Sequence, residues 1–374
     1  MFSSTDKMLM HRACKLARRG EGFVEPNPMV GAVVANSDGT VVGEGWHKQF
    51  GGAHAEVHAL TMAGQEARGA TLFVTLEPCC HTGKTPPCTD AILSAGIRRV
   101  VVAVTDPFPA VAGKGISLLQ RAGIQVDVGL LEQEATRLIA PFRMLMMSKR
   151  PWMIAKWAMT LDGSLTLPLA STNGSEEHLQ HQWISSEISR AVVHDLRRRV
   201  DAIVIGVQTA LTDDPLLTAR PSGLRPLVRV VLDRQARLPV RSRLVQTAHE
   251  HPVLVAVGPN AAEDQISLLR DNGCEVWRSS TDQSSQMLLE LAREFGVRQM
   301  TNVLVEGGTR VLESCFQADI IDEVWAFLAP KLFNANEPSL RLREFLSSMT
   351  IEAIDQTGGD LFVRGLRRHH SLGR

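Results

Sequence analysis

Short apolar segments alternate with helical patterns along the whole chain, and this alternation restricts the possible folds more than any other feature of the sequence. Strands that alternate with helices form parallel or mixed sheets whose faces are covered by the helices. In the first part of the chain, strands are predicted at Val30–Ala35, Thr40–Gly45, Thr71–Glu77, Arg99–Val104 and Gln125–Gly129. Helices are predicted at Asp6–Arg19, Glu56–Ala67, Thr89–Ala95, Ile116–Ala122 and Glu132–Met147. We therefore expect an α/β fold.

The helical pattern stops at Ser148-Lys149-Arg150-Pro151, where we place a domain boundary because proline disfavours helix at the residue before it. Beyond it, strands are predicted at Trp152–Thr160, Ala202–Val207, Leu227–Asp233, Val253–Val257, Val303–Glu306 and Glu323–Leu328. Helices are predicted at Glu187–Arg199, Ala261–Asn272, Ser284–Phe295 and Thr309–Phe316. The total of 374 residues is more than one ordinary domain of about 150 residues. We predict a first α/β domain over residues 1–148 and a second over residues 149–374.

Charge and hydropathy exclude two classes of partner. The chain has 40 basic and 40 acidic side chains, and residues 1–147 have 14 and 13. A domain that binds nucleic acid through its phosphates is usually basic, so we expect no nucleic-acid partner. No apolar run reaches the roughly 18 residues that a membrane span needs, and the first residues lack the pattern of a secretion signal. We expect a cytoplasmic protein without membrane contact, whose six cysteines stay reduced.

One histidine and two cysteines stand at predicted junctions between elements. His54 begins a helix, Cys79 follows a strand and Cys88 opens the next helix. One imidazole and two thiolates are a ligand set of catalytic zinc, which keeps its fourth position for water. Glu56 is two residues from His54 and can exchange protons with that water, as in zinc deaminases. Each residue alone is weak evidence for a metal site, since buried cysteines are often small core residues. The combination of the three residues with Glu56 favours zinc.

The spacing of the cysteines predicts a long loop at the rim of this pocket. Eight residues separate Cys79 from Cys88, where nucleic-acid and cytidine deaminases often have two. His81 and Lys84 lie within this loop and can contact a phosphate group. They can equally be ordinary surface side chains, and the sequence leaves this alternative open.

Several motifs of the first part resemble the bifunctional deaminase–reductases of riboflavin biosynthesis. These motifs are Pro26–Gly31, His54–Ala59, Thr75–Cys79, His81–Cys88, Asp106-Pro107 and Val111–Gly115. The resemblance implies a cytidine-deaminase-like three-layer domain, with zinc bound by His54, Cys79 and Cys88. It also implies proton transfer by Glu56 and a hydrogen bond from Asn27 to the base.

Two positions of the first part depart from that pattern. Cys80 stands where the family usually has serine, and Phe108 where it usually has asparagine. Cys80 competes with its neighbour for assignment as a metal ligand, and Phe108 removes one expected polar contact to the substrate.

Without the family resemblance, the sequence of the second part gives little information about its function. Val303–Thr309 has the pattern of a strand, a glycine turn and a helix, but no G-x-G-x-x-G, so that a plain turn is favoured on this pattern alone. Other motifs resemble the reductase half of the same family, namely Ala155–Gly163, Gln182–Ser185, Val193–Arg197, Asp201–Ile203, Gly206–Thr209, Asp213–Arg220 and Val305–Gly308. The resemblance implies a dihydrofolate-reductase-like α/β domain. With both halves in order, it covers nearly the whole chain.

The resemblance also implies the residues of the second site. NADPH would be held by Ala158, Trp183, Thr209, Asp213, Gly308 and Thr309. The substrate would be held by His181, Arg197, Leu217, Arg220 and Glu306. Blander interpretations remain open for two of these, since Arg197 belongs to a basic run typical of a solvated helix face and Asp213 can cap a turn.

His181 is the main departure in the second part. It follows an added segment and stands where the family has a substrate-binding serine. Histidine can donate the same kind of hydrogen bond. The sequence is therefore compatible with a working reductase or with an impaired one.

The resemblance implies two successive activities on a pyrimidine carrying a ribose phosphate. The first domain would hydrolyse the 2-amino group of 2,5-diamino-6-(5-phosphoribosylamino)pyrimidin-4(3H)-one, giving 5-amino-6-(5-phosphoribosylamino)uracil. The second would use NADPH to reduce the ribosyl chain, giving 5-amino-6-(5-phosphoribitylamino)uracil. The alternatives are an active deaminase with an impaired or structural reductase domain, and a deaminase of nucleic acids. We also expect a homo-oligomer, either a dimer or a tetramer.

Overall fold

The computed structural model describes residues 2–83, 86–108, 112–165, 183–223, 225–332, 345 and 347–367. The chain forms two compact units. The first comprises the residues up to Pro151 together with Gln299–Thr301, and the second comprises the other described residues from Trp152 onwards. Within the described ranges, no helix has both the length and the apolar character needed to cross a membrane.

The first unit is built on a mixed sheet with the strand order β2-β1-β3-β4-β5 in its described part. Its strands are β1 (Gly31–Ala35), β2 (Val41–Trp46), β3 (Thr71–Leu76), β4 (Arg99–Val104) and β5 (Gln125–Val128). β1 pairs antiparallel with β2 and β3, whereas β3, β4 and β5 run parallel. The mixed sheet expected from the alternation of strands and helices is confirmed.

Helices cover both faces of this sheet. They are α1 (Ser4–Ala17), α2 (Ala55–Ala63), α3 (Cys88–Ser94), α4 (Lys114–Arg121), α5 (Glu132–Leu138) and α6 (Ala140–Ser148), with 3₁₀ turns at Arg18–Gly20 and Gly64–Ala67. Successive residues of a strand point to opposite faces. Val33 therefore packs in a core cluster with Leu9 and Met10 of α1, while Val34 packs in another with Ala59 of α2 and Ile92 of α3. The result is the predicted three-layer arrangement.

The prediction of one continuous helix over Glu132–Met147 is wrong. The segment forms two helices, and the chain leaves helical geometry between them at Ile139, with φ −98° and ψ 8°. Pro141 is in the first turn of α6, where its missing N–H costs no intrahelical hydrogen bond. The apolar spacing continues across the break because both helices bury apolar side chains, Ala135 and Leu138 in α5 and Met144 and Leu145 in α6.

The second unit contains a larger sheet, whose described strands have the order β10-β9-β8-β7-β11-β6-β12-β14-β13. They are β6 (Trp152–Thr160), β7 (Ala202–Gly206), β8 (Val228–Leu232), β9 (Val253–Val257), β10 (Glu275–Arg278), β11 (Asn302–Gly307), β12 (Glu323–Ala329), β13 (Met349–Thr357) and β14 (Asp360–Arg367). Its helices are α7 (Glu187–Arg197), α8 (Val207–Asp213), α9 (Arg243–Gln246), α10 (Glu263–Asp271), α11 (Ser284–Val297) and α12 (Thr309–Gln317). All described strand pairs are parallel except those made by β14.

The C-terminal hairpin was not predicted. β13 and β14 pair antiparallel around Gly358 and Gly359, which have φ of 58° and 93°. Two adjacent residues with positive φ make the tight turn that joins twisted hairpin strands, and glycine adopts them without steric cost. The Gly-Gly pair was the available sequence signal for the turn. Most residues of β13 are exposed or half-buried, so the strand lacks a regular alternation of buried and exposed side chains.

A buried carboxylate joins three strands of the second sheet. Glu323 begins β12, is 5% exposed and accepts hydrogen bonds from Trp152 Nε1 on β6 at 2.9 Å and from Trp325 Nε1 at 2.6 Å. Arg364 on β14 donates from Nε to the same carboxylate at 2.6 Å. A buried charge that is fully hydrogen-bonded is tolerated, but its donors are left without partners when it is removed.

We therefore predict that Glu323→Ala lowers the free energy of unfolding of the second unit by about 3–5 kcal/mol. Denaturant unfolding followed by tryptophan fluorescence would measure this. Asp355→Ala, which removes an exposed carboxylate on β13 of the same sheet, is the control and should change the free energy by less than about 0.5 kcal/mol. Equal effects of the two substitutions would contradict the role given to Glu323.

Candidate active sites

The first candidate site lies beyond the end of β3, at the beginnings of two helices. His54 is the N-cap residue of α2, and Cys88 is the first residue of α3. Cys79 follows β3, and its carbonyl accepts a hydrogen bond from the Thr89 backbone N–H at 3.2 Å. Helix N-termini carry partial positive charge, which favours thiolate over thiol at this place.

The three side chains converge to distances that suit one metal ion. His54 Nδ1 lies 3.2 Å from Cys88 Sγ and 3.5 Å from Cys79 Sγ, and all three ligand atoms lie within 4.8 Å of one another. In a tetrahedral zinc site the bond lengths of about 2.3 Å to sulfur and 2.0 Å to nitrogen place such ligands about 3.5 Å apart. The chemistry and spacing of these donors therefore fit zinc.

The two thiols have unequal acidity. The hydrogen bond with the Cys88 thiol, together with His54, lowers the pKa of Cys79, while the same pairing raises the pKa of Cys88. The Cys88 backbone N–H also donates to Cys79 Sγ at 3.3 Å. Cys79 is thus prepared as a thiolate by its surroundings, which is the form that binds metal.

Glu56 lies in the first turn of α2 and is 3% exposed. Burial raises the pKa of its carboxyl group above the ordinary value, although the neighbouring His54 opposes this change. A raised pKa makes a carboxylate a stronger base, which suits a group that must take up a proton and later release it. The structure therefore brings the predicted acid–base residue next to the predicted ligands.

Sequence reasoning missed His47, which orients Asn27. His47 is buried, its Nδ1 lies 3.1 Å from the Ala53 carbonyl oxygen, and its Nε2 lies 3.2 Å from Asn27 Nδ2. A carbonyl only accepts, so Nδ1 donates and Nε2 is left to accept from the Asn27 amide. This arrangement leaves Asn27 Oδ1 available to a ligand. The His47 ring also packs edge-on against His54, 5.4 Å between centroids.

The structure describes three of the four other residues that the sequence analysis discussed for this site. His81 is exposed, and Lys84 lies outside the described residues. Cys80 is half-buried and does not belong to the converging His–Cys group. Phe108 is 40% exposed, and its backbone N–H donates to Asp106 Oδ1 at 2.8 Å.

In the second unit, three of the predicted cofactor residues, Thr209, Gly308 and Thr309, follow the C-terminal ends of the parallel strands β7 and β11. Gly308 follows β11 with φ 81°, and a Cβ built on it would lie 3.1 Å from Thr209 Oγ1 of α8. α12 begins at Thr309 without a side-chain cap, so its first N–H groups are available to an anion. This glycine-lined cradle at an uncapped helix start fits the pyrophosphate of NADPH. Ala158 is half-buried on β6.

The predicted substrate residues Arg197 and Glu306 contact each other directly. Arg197 donates from Nε and Nη2 to the two carboxylate oxygens of Glu306 at 2.6 and 2.7 Å. Burial alone would raise the pKa of Glu306, but the guanidinium lowers it, so this carboxylate stays charged. The blander interpretation of Arg197, a solvated helix face, is not supported because its side chain is only 15% exposed.

Lys156 and His194 belong to the same charged group and were not predicted as site residues. Burial lowers the pKa of Lys156, and Glu306 and Arg197 are the charges that act on it. Burial and the two arginines Arg197 and Arg220 lower the pKa of His194. Lys156 belongs to the reductase-like motif Ala155–Gly163, but its position within a predicted strand gave no separate indication of a functional role.

Other predicted residues of the second site are more dispersed. Leu217 is buried with φ 55°, whereas Arg220 and Asp213 are exposed. Trp183 is 56% exposed, and the guanidinium of Arg190 lies 5.2 Å from the centroid of its ring. His181 lies outside the described residues.

Both units match known families. Residues 3–104 match the cytidine and deoxycytidylate deaminase zinc-binding region, and residues 151–363 match the RibD C-terminal domain. The riboflavin biosynthesis protein RibD of Aquifex aeolicus is 38% identical over 369 residues, covering 97% of this chain and 99% of that protein. The chain belongs to the RibD family. The predicted fold class, a deaminase-like domain followed by a reductase-like domain, is confirmed.

Solved structures of RibD proteins agree over the full length. A deaminase/reductase from Thermotoga maritima, named for diaminohydroxyphosphoribosylaminopyrimidine and 5-amino-6-(5-phosphoribosylamino)uracil, is 33% identical with a TM-score of 0.79, covering 97% of this chain and 99% of its own. Acinetobacter baumannii RibD is 30% identical with a TM-score of 0.78, covering 97% and 98%. This RibD chain is a bifunctional enzyme of riboflavin biosynthesis, with a zinc-binding deaminase domain and an NADPH-dependent reductase domain.

The geometry separates Cys80 from Cys79 and Cys88, whose sulfur atoms converge with His54. We predict that Cys88→Ser reduces the zinc content of the purified chain well below one ion per chain, because a hydroxyl is a far weaker ligand than a thiolate. Cys80→Ser is the matched control and should keep its zinc, because Cys80 is not among the converging ligands. Metal analysis after dialysis against a weak chelator measures both. Zinc loss in the Cys80 variant alone would reverse the assignment.

Proposed function

We propose that the first unit hydrolyses the 2-amino group of 2,5-diamino-6-(5-phosphoribosylamino)pyrimidin-4(3H)-one, and that the second reduces the ribosyl chain of the product with NADPH. The single observation that carries this is the convergence of His54, Cys79 and Cys88 beside the buried Glu56, in a chain of the RibD family. The Thermotoga maritima relative is named for both reactions. The match over the whole chain gives no support to a deaminase of nucleic acids.

In the deamination, water adds to the ring carbon that carries the amino group, and ammonia leaves. Zinc held by the three ligands would act as a Lewis acid and lower the pKa of water. Glu56 takes a proton as the new C–O bond forms and delivers it to the amino nitrogen as the C–N bond breaks. Asn27, held through its amide nitrogen by His47, accepts a hydrogen bond from the pyrimidine through Oδ1.

In the reduction, NADPH held at Gly308 and Thr309 would provide the hydride for the first carbon of the sugar chain. A proton is then needed to complete the new alcohol or amine. The guanidinium of Arg197 donates a hydrogen bond to each carboxylate oxygen of Glu306 and so fixes the orientation of this carboxylate. This carboxylate can accept hydrogen bonds from sugar hydroxyls. Lys156, with its lowered pKa, is a suitable source of the proton. Arg220 is exposed and available to the phosphate of the substrate.

Two substitutions in the full chain separate the activities. We predict that Glu56→Gln lowers kcat of deamination by at least about 100-fold, because an amide cannot transfer the proton. Reduction of 5-amino-6-(5-phosphoribosylamino)uracil, followed by NADPH absorbance, should be unchanged. Glu306→Gln should give the reciprocal result, with reduction lowered by about 100-fold and deamination unchanged.

The reciprocal pattern tests the proposal against its alternatives. A wild-type chain that deaminates but does not oxidise NADPH would show that the second unit is impaired or structural. Loss of both activities in either variant would show instead that the substitution disturbs the whole chain. Failure of the wild type to deaminate the diaminopyrimidine would overturn the proposed substrate.

The predicted homo-oligomer and the cytoplasmic location stay predictions. β13 is the last of the described strands in the order of the second sheet, and its Ile351 and Ile354 are 44% and 63% exposed. Exposed apolar side chains that lie close together are common places for chains to associate. We predict a dimer or tetramer in light scattering, and a shift towards monomer in Ile354→Asp. An unchanged mass in this variant would exclude β13 from the interface, and a monomeric wild type would contradict the oligomer.

A further inference from the structure

A second buried carboxylate lies close to the candidate zinc ligands but has no place in the chemistry described above. Glu77 follows β3 directly and precedes Cys79 by two residues. It is 4% exposed. A buried carboxylate is costly unless hydrogen bonds compensate it, so its partners indicate what it does.

Four backbone N–H groups donate to Glu77, and all of them come from the segment that follows β4. Oε2 accepts from Asp106 at 3.1 Å and from Gly113 at 2.9 Å. Oε1 accepts from Gly115 at 2.9 Å and from Ile116 at 3.3 Å. Hydrogen bonds to an ionised acceptor are about twice as strong as neutral ones. Glu77 therefore fixes both the start of this segment and the first turn of α4.

Close packing makes the attachment rigid. The Glu77 backbone N–H donates to the Val104 carbonyl at 2.9 Å, so the residue is tied to the end of β4 as well. A Cβ built on Gly115 would lie 2.1 Å from the Pro78 carbonyl oxygen, so no side chain fits there. The turn that carries Cys79 and the start of α4 thus touch backbone to backbone.

The segment that Glu77 holds forms a wall beside the metal-binding turn. Cys80, Gly113 and Lys114 are among the residues that line a cavity of about 470 Å³. Asp106, whose backbone Glu77 binds, is close enough to Cys79 and His81 for their charges to act on its carboxyl group. A change at Glu77 would therefore move this wall relative to Cys79 and Cys80.

We propose that Glu77 is a positioning residue of the deamination, which holds the Asp106 and Gly113–Ile116 backbone at the distance from the Cys79 turn that the substrate requires. This inference rests on the proposed function of the first unit. Glu77 does not bind the metal and does not exchange protons with the substrate. Its effect passes through the four N–H groups that it accepts.

The test compares variants of the full chain. Glu77→Gln keeps one oxygen that can accept, but places an NH₂ group against two N–H donors. We expect zinc content and reduction to stay at wild-type values, while KM for the diaminopyrimidine rises and kcat/KM of deamination falls by about 100-fold, the loss that a displacement of roughly 1 Å can cause. Gly115→Ala should reproduce this result, because it opens the same contact from the other side.

Asp6→Asn is the matched control. Asp6 is also a buried carboxylate of the first unit; it pairs with Arg99 at 2.9 Å and accepts from the Ser3 backbone N–H at 3.0 Å. Its loss should lower the unfolding temperature without changing KM. The positioning role therefore predicts a rise in KM in Glu77→Gln that exceeds any seen in Asp6→Asn at a comparable loss of thermal stability.

Three outcomes would overturn the inference while the wild type deaminates normally. They are unchanged KM and kcat/KM in Glu77→Gln, zinc loss in proportion to activity, and an equal rise in KM in the Asp6 control. The second would mean that Glu77 supports metal binding instead, and the third that it only stabilises the unit. A wild type without deaminase activity would overturn the proposed function itself, and this inference with it.

Discussion

The meeting of one imidazole nitrogen with two sulfur atoms is the constraint on which the first unit depends. His54, Cys79 and Cys88 come from three different junctions, and the sheet must hold these junctions within a few ångströms for one ion to bind. β3 is buried along its whole length and delivers Cys79, while α2 and α3 begin at the other two ligands. The aliphatic core between the sheet and these helices therefore stabilises the unit and also holds the metal ligands in position.

In the second unit, an ion pair joins two elements at the candidate site, as the metal ligands do in the first unit. Arg197 ends α7 and Glu306 stands near the end of β11, and their two parallel hydrogen bonds join these elements. Breaking a buried pair by removing one partner leaves an uncompensated charge. The pair thus keeps a charged carboxylate in place next to Lys156. Both units set their chemistry at the C-terminal ends of parallel strands, where loops are free to carry function.

Strong local patterns were sufficient for most of the framework. The bounds of β4, β6 and β9 agree with the sequence prediction, because each is a run of apolar residues closed by polar or turn-forming neighbours. The break between α5 and α6 and the C-terminal hairpin were missed for opposite reasons. At Ile139 the apolar spacing continued through a real break, whereas in β13 exposure on both faces removed the alternation that reveals a strand.

The sequence by itself was enough to predict the ligand set, the acid–base residue and the order of the two domains. These predictions depend on residue types at short, fixed spacing around helix starts and strand ends. Only the tertiary structure decided the partners of these residues. Asn27 meets His47 across 20 residues, Glu77 meets Ile116 across 39, and Arg197 meets Glu306 across 109. Such contacts are set by the packing of whole elements, and no local periodicity records which buried groups will face one another.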